Sequence, residues 1–209
     1  MIDSLLSWLH QLYDIPSLIR WGGYAALVGI IYAETGLLFG FFLPGDSLLV
    51  TAGVFAAAGL LDIWMLNLLL VPAAILGDAT GYYFGKKVGP ALYSRPDSRF
   101  FKQEHLKKAK AFYEKHGGKT IILARFVPVV RTFAPIVAGV SGMSYSSFAM
   151  YNIVGGVLWV LGLTLLGYFL GTQVPDIEKN ILWVIGTVIF LSFLPAIYEY
   201  WKHRQQKEG

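Results

Sequence analysis

The chain has 209 residues, of which 56% are hydrophobic and only 14% are charged, and its mean hydropathy is +0.56. These values exceed what the core of a soluble globular domain needs, so the composition predicts an integral membrane protein. The formal net charge is +4, and the chain contains no cysteine, which excludes disulfides, thiol nucleophiles and thiolate metal sites.

Residues 1–21 begin the chain as an apolar segment with polar interruptions at Asp3, His10, Asp14 and Arg20. This pattern predicts an amphipathic N-terminal helix that lies at the membrane interface or spans the bilayer weakly. An acid stands near the start and no Lys or Arg comes early, unlike a cleaved signal peptide. The sequence leaves open the side of the membrane on which this N-terminus lies.

An apolar run over residues 22–61 follows and contains only two formal charges, Glu34 and Asp46. A bilayer core about 30 Å thick requires about 20 apolar residues per helical crossing, so the run has two arms. Pro44-Gly45 lets the chain reverse between them, and Asp46 with Ser47 suits the N-cap of the second arm. A turn facing lipid would leave backbone groups unsatisfied, so we predict a re-entrant hairpin whose turn is buried in protein or lines a wet cavity.

Residues 63–85 are long and apolar enough for a transmembrane helix. Glycines recur along it at every fourth position, which lets helix backbones approach closely; they are Gly77, Gly81, Gly85 and Gly89. The acid Asp78 lies about seven residues, or roughly 10 Å, from the cytoplasmic helix end. Three roles are open for it: snorkelling to the interface, bonding a neighbouring helix, or proton coupling.

Residues 86–118 are predicted to form a basic cytoplasmic loop. The stretch from Lys86 to Lys119 holds ten Lys and Arg against three acids, and the positive-inside rule places such a segment in the cytoplasm. Orientation and contact with anionic headgroups explain these charges better than nucleic-acid binding does. We therefore expect membrane lipids, and no nucleic acid, as partners of this loop.

The segment 119–141 holds two arginines, Arg125 and Arg131, and two prolines, Pro128 and Pro135. If it crossed the membrane straight, the basic C-terminal tail would end opposite the basic loop, against the positive-inside rule. A re-entrant hairpin that enters from the cytoplasm and turns back, with the prolines supplying the break, puts loop and tail on one side. The sequence therefore predicts a second re-entrant hairpin.

Two further helices are predicted to cross the membrane, over residues 144–171 and 180–201, with a short external turn between them. The basic tail, residues 202–209, then lies in the cytoplasm. Within the first of these helices, Asn152 is interpreted as a hydrogen-bonding contact between helices. Trp159 is interpreted as an interface anchor or a packing residue.

The two predicted hairpins carry opposite charges, with Glu34 and Asp46 in the first and Arg125 and Arg131 in the second. Each charge alone at bilayer depth costs about 2.5–3.5 kcal/mol on insertion scales. Hairpins that enter from opposite faces and meet near the midplane would put the acids beside the guanidinium groups, as broken helices do in secondary transporters. The predicted fold is thus an all-α polytopic membrane protein, an inverted repeat with two opposed re-entrant helical hairpins plus transmembrane helices.

Several separated motifs follow one another along the chain: Glu34-Thr35-Gly36, Phe42-Leu43-Pro44-Gly45-Asp46-Ser47, Gly77-Asp78 with Gly81-Tyr82 and Gly85, Arg125-Phe126, Pro128, Val130-Arg131-Thr132, Pro135, Ala138-Gly139, Phe148, Asn152 and Trp159. Taken together, these motifs resemble the DedA family of bacterial membrane proteins, which share the VTT or SNARE-associated domain. The resemblance runs from about residue 30 to residue 171, so we assign residues 22–171 to this membrane domain.

The resemblance implies a multi-pass transporter of the bacterial inner membrane that moves a lipid-linked phosphate, first of all undecaprenyl phosphate, between leaflets with coupling to protons. Arg125 and Arg131, with Glu34 and Asp46, would bind the substrate, because guanidinium groups grip phosphate bidentately. Glu34, Asp46 and Asp78 would carry protons, because burial of a carboxylate favours its protonated form. No cofactor or metal is expected, and a homo-oligomer stays open.

Other transport functions fit part of the pattern. A general phospholipid scramblase would use the same charges, and a proton-coupled carrier of small cations or drugs would use the acids. The structural alternative is that the four charges at residues 34, 46, 125 and 131 form ion pairs that only hold the hairpins together. We favour a functional site because charges within a membrane are expensive.

An enzyme is the remaining alternative, because Gly45-Asp46-Ser47-Leu48 superficially matches the GDSL hydrolase signature. Such a serine needs a histidine base. All four histidines lie outside the predicted membrane core; they are His10, His105, His116 and His203. We therefore do not expect an enzyme.

Overall fold

The computed structural model describes residues 15–37, 43–93 and 118–173, together with the single residues 111 and 115. Regular structure in these ranges is helical, which confirms the all-α fold class. Six helices have defined bounds: α1 Ile15–Gly36, α2 Gly45–Ala57, α3 Ile63–Tyr93, α4 Lys119–Ala124, α5 Pro128–Val140 and α6 Tyr145–Gln173. Residues 1–14, most of the basic loop, the helix predicted over 180–201 and the tail 202–209 lie outside the described residues.

The range of α1 includes residue 21, where the sequence predicted the N-terminal helix to end. Its backbone turns at Gly23, with φ 50° and ψ −139°, a conformation that glycine adopts and other residues avoid. Non-helical backbone at Gly23 divides α1 into two helical segments, two residues after the predicted end of the N-terminal helix at residue 21.

Helix α2 begins two residues earlier than an N-cap at Asp46 would allow. Its N-cap is Pro44, whose carbonyl oxygen accepts the first bond from the Leu48 amide at 2.8 Å, and no side chain caps this end. The prediction that Asp46 or Ser47 is the N-cap is wrong, because the carbonyl of Pro44 already starts the helix. Asp46 lies in the first turn, where its charge complements the helix dipole.

A break in the second predicted hairpin separates α4 from α5. It covers Arg125, Phe126 and Val127, and α5 starts with Pro128, where the missing N–H costs nothing. Pro135 lies inside α5 without ending it, so only the first of the two prolines marks a break.

The two long helices, α3 and α6, are the elements suited to crossing a membrane. Among the described residues, Ile63–Ala91 and Tyr145–Gln173 are long and apolar enough to do so, which agrees with the predicted spans over 63–85 and 144–171. Helix α3 continues to Tyr93, so the start of the predicted loop at Lys86 is wrong. Large apolar side chains on both helices are exposed, among them Trp64, Leu68, Leu76, Leu158, Leu166 and Phe169.

The described residues form two compact units. The first unit contains residues 15–21, 44–66 and 163–173, and in it α2 packs on the C-terminal part of α6. A Cβ atom at Gly53 would overlap the carbonyl oxygen of Thr164, and one at Gly167 would overlap that of Val50. The two helix backbones are therefore in direct contact through glycine.

The second unit contains residues 22–37, 43, 67–93 and 118–162 of the described chain. In it α5 packs on the C-terminal part of α3 by the same kind of contact. A Cβ atom at Gly139 would overlap the carbonyl oxygen of Tyr82, and one at Gly85 would overlap that of Ile136. Gly85 and Gly167 stand at the same position counted from the start of their long helices, so one packing pattern occurs twice in the chain.

Candidate functional site

Two buried ion pairs form the centre of the candidate site, and both lie in the second unit. In the first pair, Arg131 Nη2 donates a hydrogen bond to Glu34 Oε1. Arg131 stands in the first turn of α5, and Glu34 stands near the end of α1. Glu34 is 0% exposed and Arg131 3%, so neither charge depends on water for its stabilisation.

The second pair joins three elements. Arg125 Nη2, in the break before α5, donates to Asp78 Oδ2 on α3 at 2.5 Å and to Asn152 Oδ1 on α6 at 2.5 Å. The amide nitrogen of Asn152 donates in turn to the carbonyl oxygen of Ile75 at 3.0 Å. This last bond sets the orientation of the amide, because it directs the nitrogen to Ile75 and the oxygen to Arg125.

A pair of glycines on α6 makes room for Arg125. A Cβ atom at Gly155 would lie 3.0 Å from Arg125 Cδ, and one at Gly156 would lie 3.5 Å from Arg125 Nη2. The arginine side chain therefore lies against the backbone of α6. The same helix that supplies Asn152 thus also supplies the surface on which the guanidinium group rests.

Trp159 contacts both arginines. The Cζ atoms of Arg131 and Arg125 lie 4.5 Å and 5.9 Å from the centroid of its ring. The tryptophan is 1% exposed, so the interpretation of this residue as an interface anchor is wrong, and its packing partners include two cations.

Unused hydrogen-bonding capacity remains in the site. Within the described part of the chain, Nε and Nη1 of Arg125, Oδ1 of Asp78 and Oγ1 of Thr132 are buried and have no hydrogen-bond partner. Buried polar groups are normally satisfied by protein or water, and an unmet donor costs about 1–3 kcal/mol. Arg125 thus has two donors that no described protein group uses.

The predicted site residues meet only in part. Glu34 and Arg131 are in contact, as expected for opposite charges on the two predicted hairpins, but the partner of Arg125 is Asp78, whose role was left open. Asp46 lies in the first unit and is half-buried. Its place beside the arginines stays a prediction.

Sequence reasoning missed the part that α6 plays in the site. Asn152, Gly155, Gly156 and Trp159 follow the spacing i, i+3, i+4, i+7, which places them on one helix face. One face of this otherwise apolar helix carries a polar residue, two glycines and an aromatic. This pattern could have identified the helix face on which a buried cation packs. Among the described residues, no group of three or more His, Asp or Glu could hold a metal ion.

The VTT domain family matches residues 43–169 of the chain. Protein DedA from Escherichia coli (strain K12) is 50% identical over 184 residues, which cover 87% of this chain and 84% of that protein. An uncharacterized membrane protein from Mycobacterium leprae (strain TN) is 49% identical over 176 residues, covering 84% and 78%.

A more distant relative is the inner membrane protein YqjA from Escherichia coli (strain K12). It is 39% identical over 148 residues, which cover 71% of this chain and 67% of that protein. No solved structure shows a significant match to the chain.

Proposed function

Since the chain belongs to the DedA family of membrane proteins and carries its VTT domain, we propose that it transports a lipid-linked phosphate between the leaflets of the bacterial inner membrane. Undecaprenyl phosphate is the first candidate, and its movement is coupled to protons. The observation that carries this proposal is the pair of buried arginines, Arg125 and Arg131, each bonded to a buried carboxylate. Guanidinium groups in a dry site are suited to phosphate oxygens.

The ion pairs supply a chemical basis for the coupling to protons. Glu34 and Asp78 balance the charges of Arg131 and Arg125. A phosphate that binds both arginines brings negative charge into a buried site, which is costly unless the carboxylates lose theirs. Proton uptake by Glu34 and Asp78 on phosphate binding restores the balance, and release of the phosphate returns the protons. Asp46 is kept in the proposal as a third proton carrier.

The repeated packing of a short helix on a long one supports the inverted-repeat part of the proposal. Transporters with such repeats bind substrate near the bilayer midplane at broken helices. The break at residues 125–127 carries Arg125 and leads directly into the turn that carries Arg131. We propose that this break is the tip of a re-entrant hairpin from the cytoplasm, and that residues 22–61 form its counterpart from the opposite face.

The same contacts favour an anion over a cation as cargo. A cation carrier needs carboxylates that face its cargo, whereas each described pair in the site sets an arginine against its carboxylate. Two cations within reach of one ligand would repel a positive substrate. We therefore prefer a carrier of lipid phosphate to a carrier of cations or drugs as the proposed function.

The test is reconstitution into liposomes that contain undecaprenyl phosphate, with a reagent that reports the phosphate in the outer leaflet only. We expect the wild-type protein to accelerate movement between leaflets, and Arg131→Ala and Glu34→Gln to abolish this. Lys87→Ala is the matched control, because Lys87 is an exposed cation near the end of α3.

Three outcomes would contradict the proposal. Equal rates for wild type and Arg131→Ala would show that the buried arginine is structural. Release of inorganic phosphate from the lipid would indicate an enzyme. Proton flux evoked by a small cation, and not by the lipid phosphate, would favour the cation carrier.

A further inference from the structure

Trp159 contacts both arginines of the site but has no role in the proposed transport mechanism. Its ring centroid lies 4.5 Å from Arg131 Cζ and 5.9 Å from Arg125 Cζ. Both distances fall within the range of about 6 Å over which a cation is attracted to an aromatic face, an attraction that is strongest for tryptophan and grows with desolvation. Since the ring is 1% exposed, water does not weaken either contact.

The hydrogen bonds of the two arginines go to different helices. Arg131 is bonded to Glu34 on α1, whereas Arg125 is bonded to Asp78 on α3 and to Asn152 on α6. Once Glu34 and Asp78 are neutral, two like charges face each other in a medium of low dielectric and repel. The attraction to Trp159 does not depend on the protonation of either acid, so it holds each guanidinium group beside the same ring.

Two guanidinium groups beside one ring suit a terminal phosphate. A phosphate monoester carries a charge of about −1.5 to −2 at pH 7 and three strong acceptor oxygens, so it can accept charge-assisted bonds from both arginines at once. A phosphodiester carries a single charge and two unesterified oxygens. It therefore gains less from a second arginine.

We propose that Trp159 is a positioning residue that makes the site selective for the terminal phosphate of a lipid monoester over the phosphodiester of an ordinary phospholipid. This inference rests on the proposed function and narrows its substrate class. It predicts that the loss of the ring weakens monoester binding while leaving diester binding nearly unchanged.

The experiment measures binding by isothermal titration calorimetry, with the full-length protein in detergent and two probes of equal chain length, octyl phosphate and methyl octyl phosphate. We expect Trp159→Leu to bind octyl phosphate about tenfold more weakly, because it loses the attraction of a desolvated aromatic face. Its affinity for methyl octyl phosphate should change by less than about twofold. Trp159→Phe keeps a weaker aromatic face and should fall between wild type and Trp159→Leu.

Trp64→Leu is the matched control, because Trp64 is 79% exposed at the start of α3; both affinities should stay at the wild-type value. Size-exclusion chromatography checks the folding of each variant, and Trp159→Phe decides the question if Trp159→Leu does not fold.

The outcomes distinguish failure of the role of Trp159 from failure of the proposed function. A wild-type protein that prefers octyl phosphate, with the same preference in Trp159→Leu or in Trp159→Phe, overturns the role of Trp159 alone. Equal losses for both probes do the same, since they indicate general damage to the site. A wild-type protein that binds neither probe overturns the proposed function together with this inference.

Discussion

Arg125 is a buried cation with three described partners. Its guanidinium group donates hydrogen bonds to Asp78 and Asn152 and lies near Trp159. Its side chain packs against two glycines of α6. A buried ion pair is weak evidence for stability, because a pair of apolar residues often packs equally well. Removal of one partner is different, because it leaves a charge buried without compensation.

Asp78→Ala should therefore destabilise the protein by about 3–5 kcal/mol, measured by equilibrium unfolding in detergent micelles. The double variant Asp78→Leu with Arg125→Met should recover most of this loss, because no charge is then left unpaired, but it should not bind octyl phosphate. If the double variant is as unstable as the single one, the pair itself is not the source of the effect.

Glu34→Gln keeps a hydrogen-bonding group beside Arg131. It removes the negative charge that a proton has to neutralise when phosphate binds. We expect phosphate binding by this variant to lose part of its dependence on pH, while transport stops because one proton site is gone. Binding of octyl phosphate across the pH range, compared with wild type, checks this. A variant whose pH dependence matches that of wild type would exclude Glu34 as a proton carrier.

At the scale of elements, the sequence predicted the helices better than the contacts between them. Pro128 marks the start of α5 because proline lacks an amide hydrogen that a helix interior needs, and this property is local. Long apolar runs predicted α3 and α6, because length and composition are also local properties of the sequence.

Contacts between elements depend on how the helices align, and the sequence does not reveal that alignment. Asp78 meets Arg125 because α3 presents that face to the break before α5, and an acid in an apolar run does not reveal which cation it will contact. For Trp159 the sequence left both an interface anchor and a packing residue open, because an aromatic residue in an apolar helix gives the same pattern whether it faces lipid or a buried cation.

Glycine contacts within each unit make a direct prediction about helix packing. Gly139→Ala should destabilise the protein by about 1–3 kcal/mol, because the new methyl group would overlap the backbone of α3 at Tyr82 and Lys86. Gly29→Ala is the control, because a Cβ atom there has no neighbour within 4 Å among the described residues. It should be neutral, or stabilising by up to about 1 kcal/mol. Unfolding in detergent measures both, and equal effects would contradict the close contact.

For the whole molecule, the arrangement in the membrane is the main prediction that the positive-inside rule makes. The basic loop that follows α3 lies in the cytoplasm in this arrangement, so the start of α3 lies outside. A re-entrant hairpin over 119–141 returns the chain to the cytoplasm before α6, whereas a straight crossing would bring it out on the other side.

Cysteine labelling tests this arrangement directly, since the chain has no cysteine of its own. Leu60→Cys and Ser146→Cys are both at exposed positions beside a helix start. A membrane-impermeant thiol reagent added outside intact cells should label Leu60→Cys, and should label Ser146→Cys only after the cells are permeabilised. Labelling of Ser146→Cys in intact cells would show that the segment 119–141 crosses the membrane.

The glycine contact between α2 and α6 also has a consequence for biosynthesis. Gly53 leaves the ribosome about 110 residues before Thr164, which at typical rates of translation is a delay on the order of ten seconds. During this time α2 is already made, yet the backbone that it packs against does not exist. A nascent chain that stops before α6 thus lacks the partner of its first short helix, and we expect quality-control proteases to degrade it.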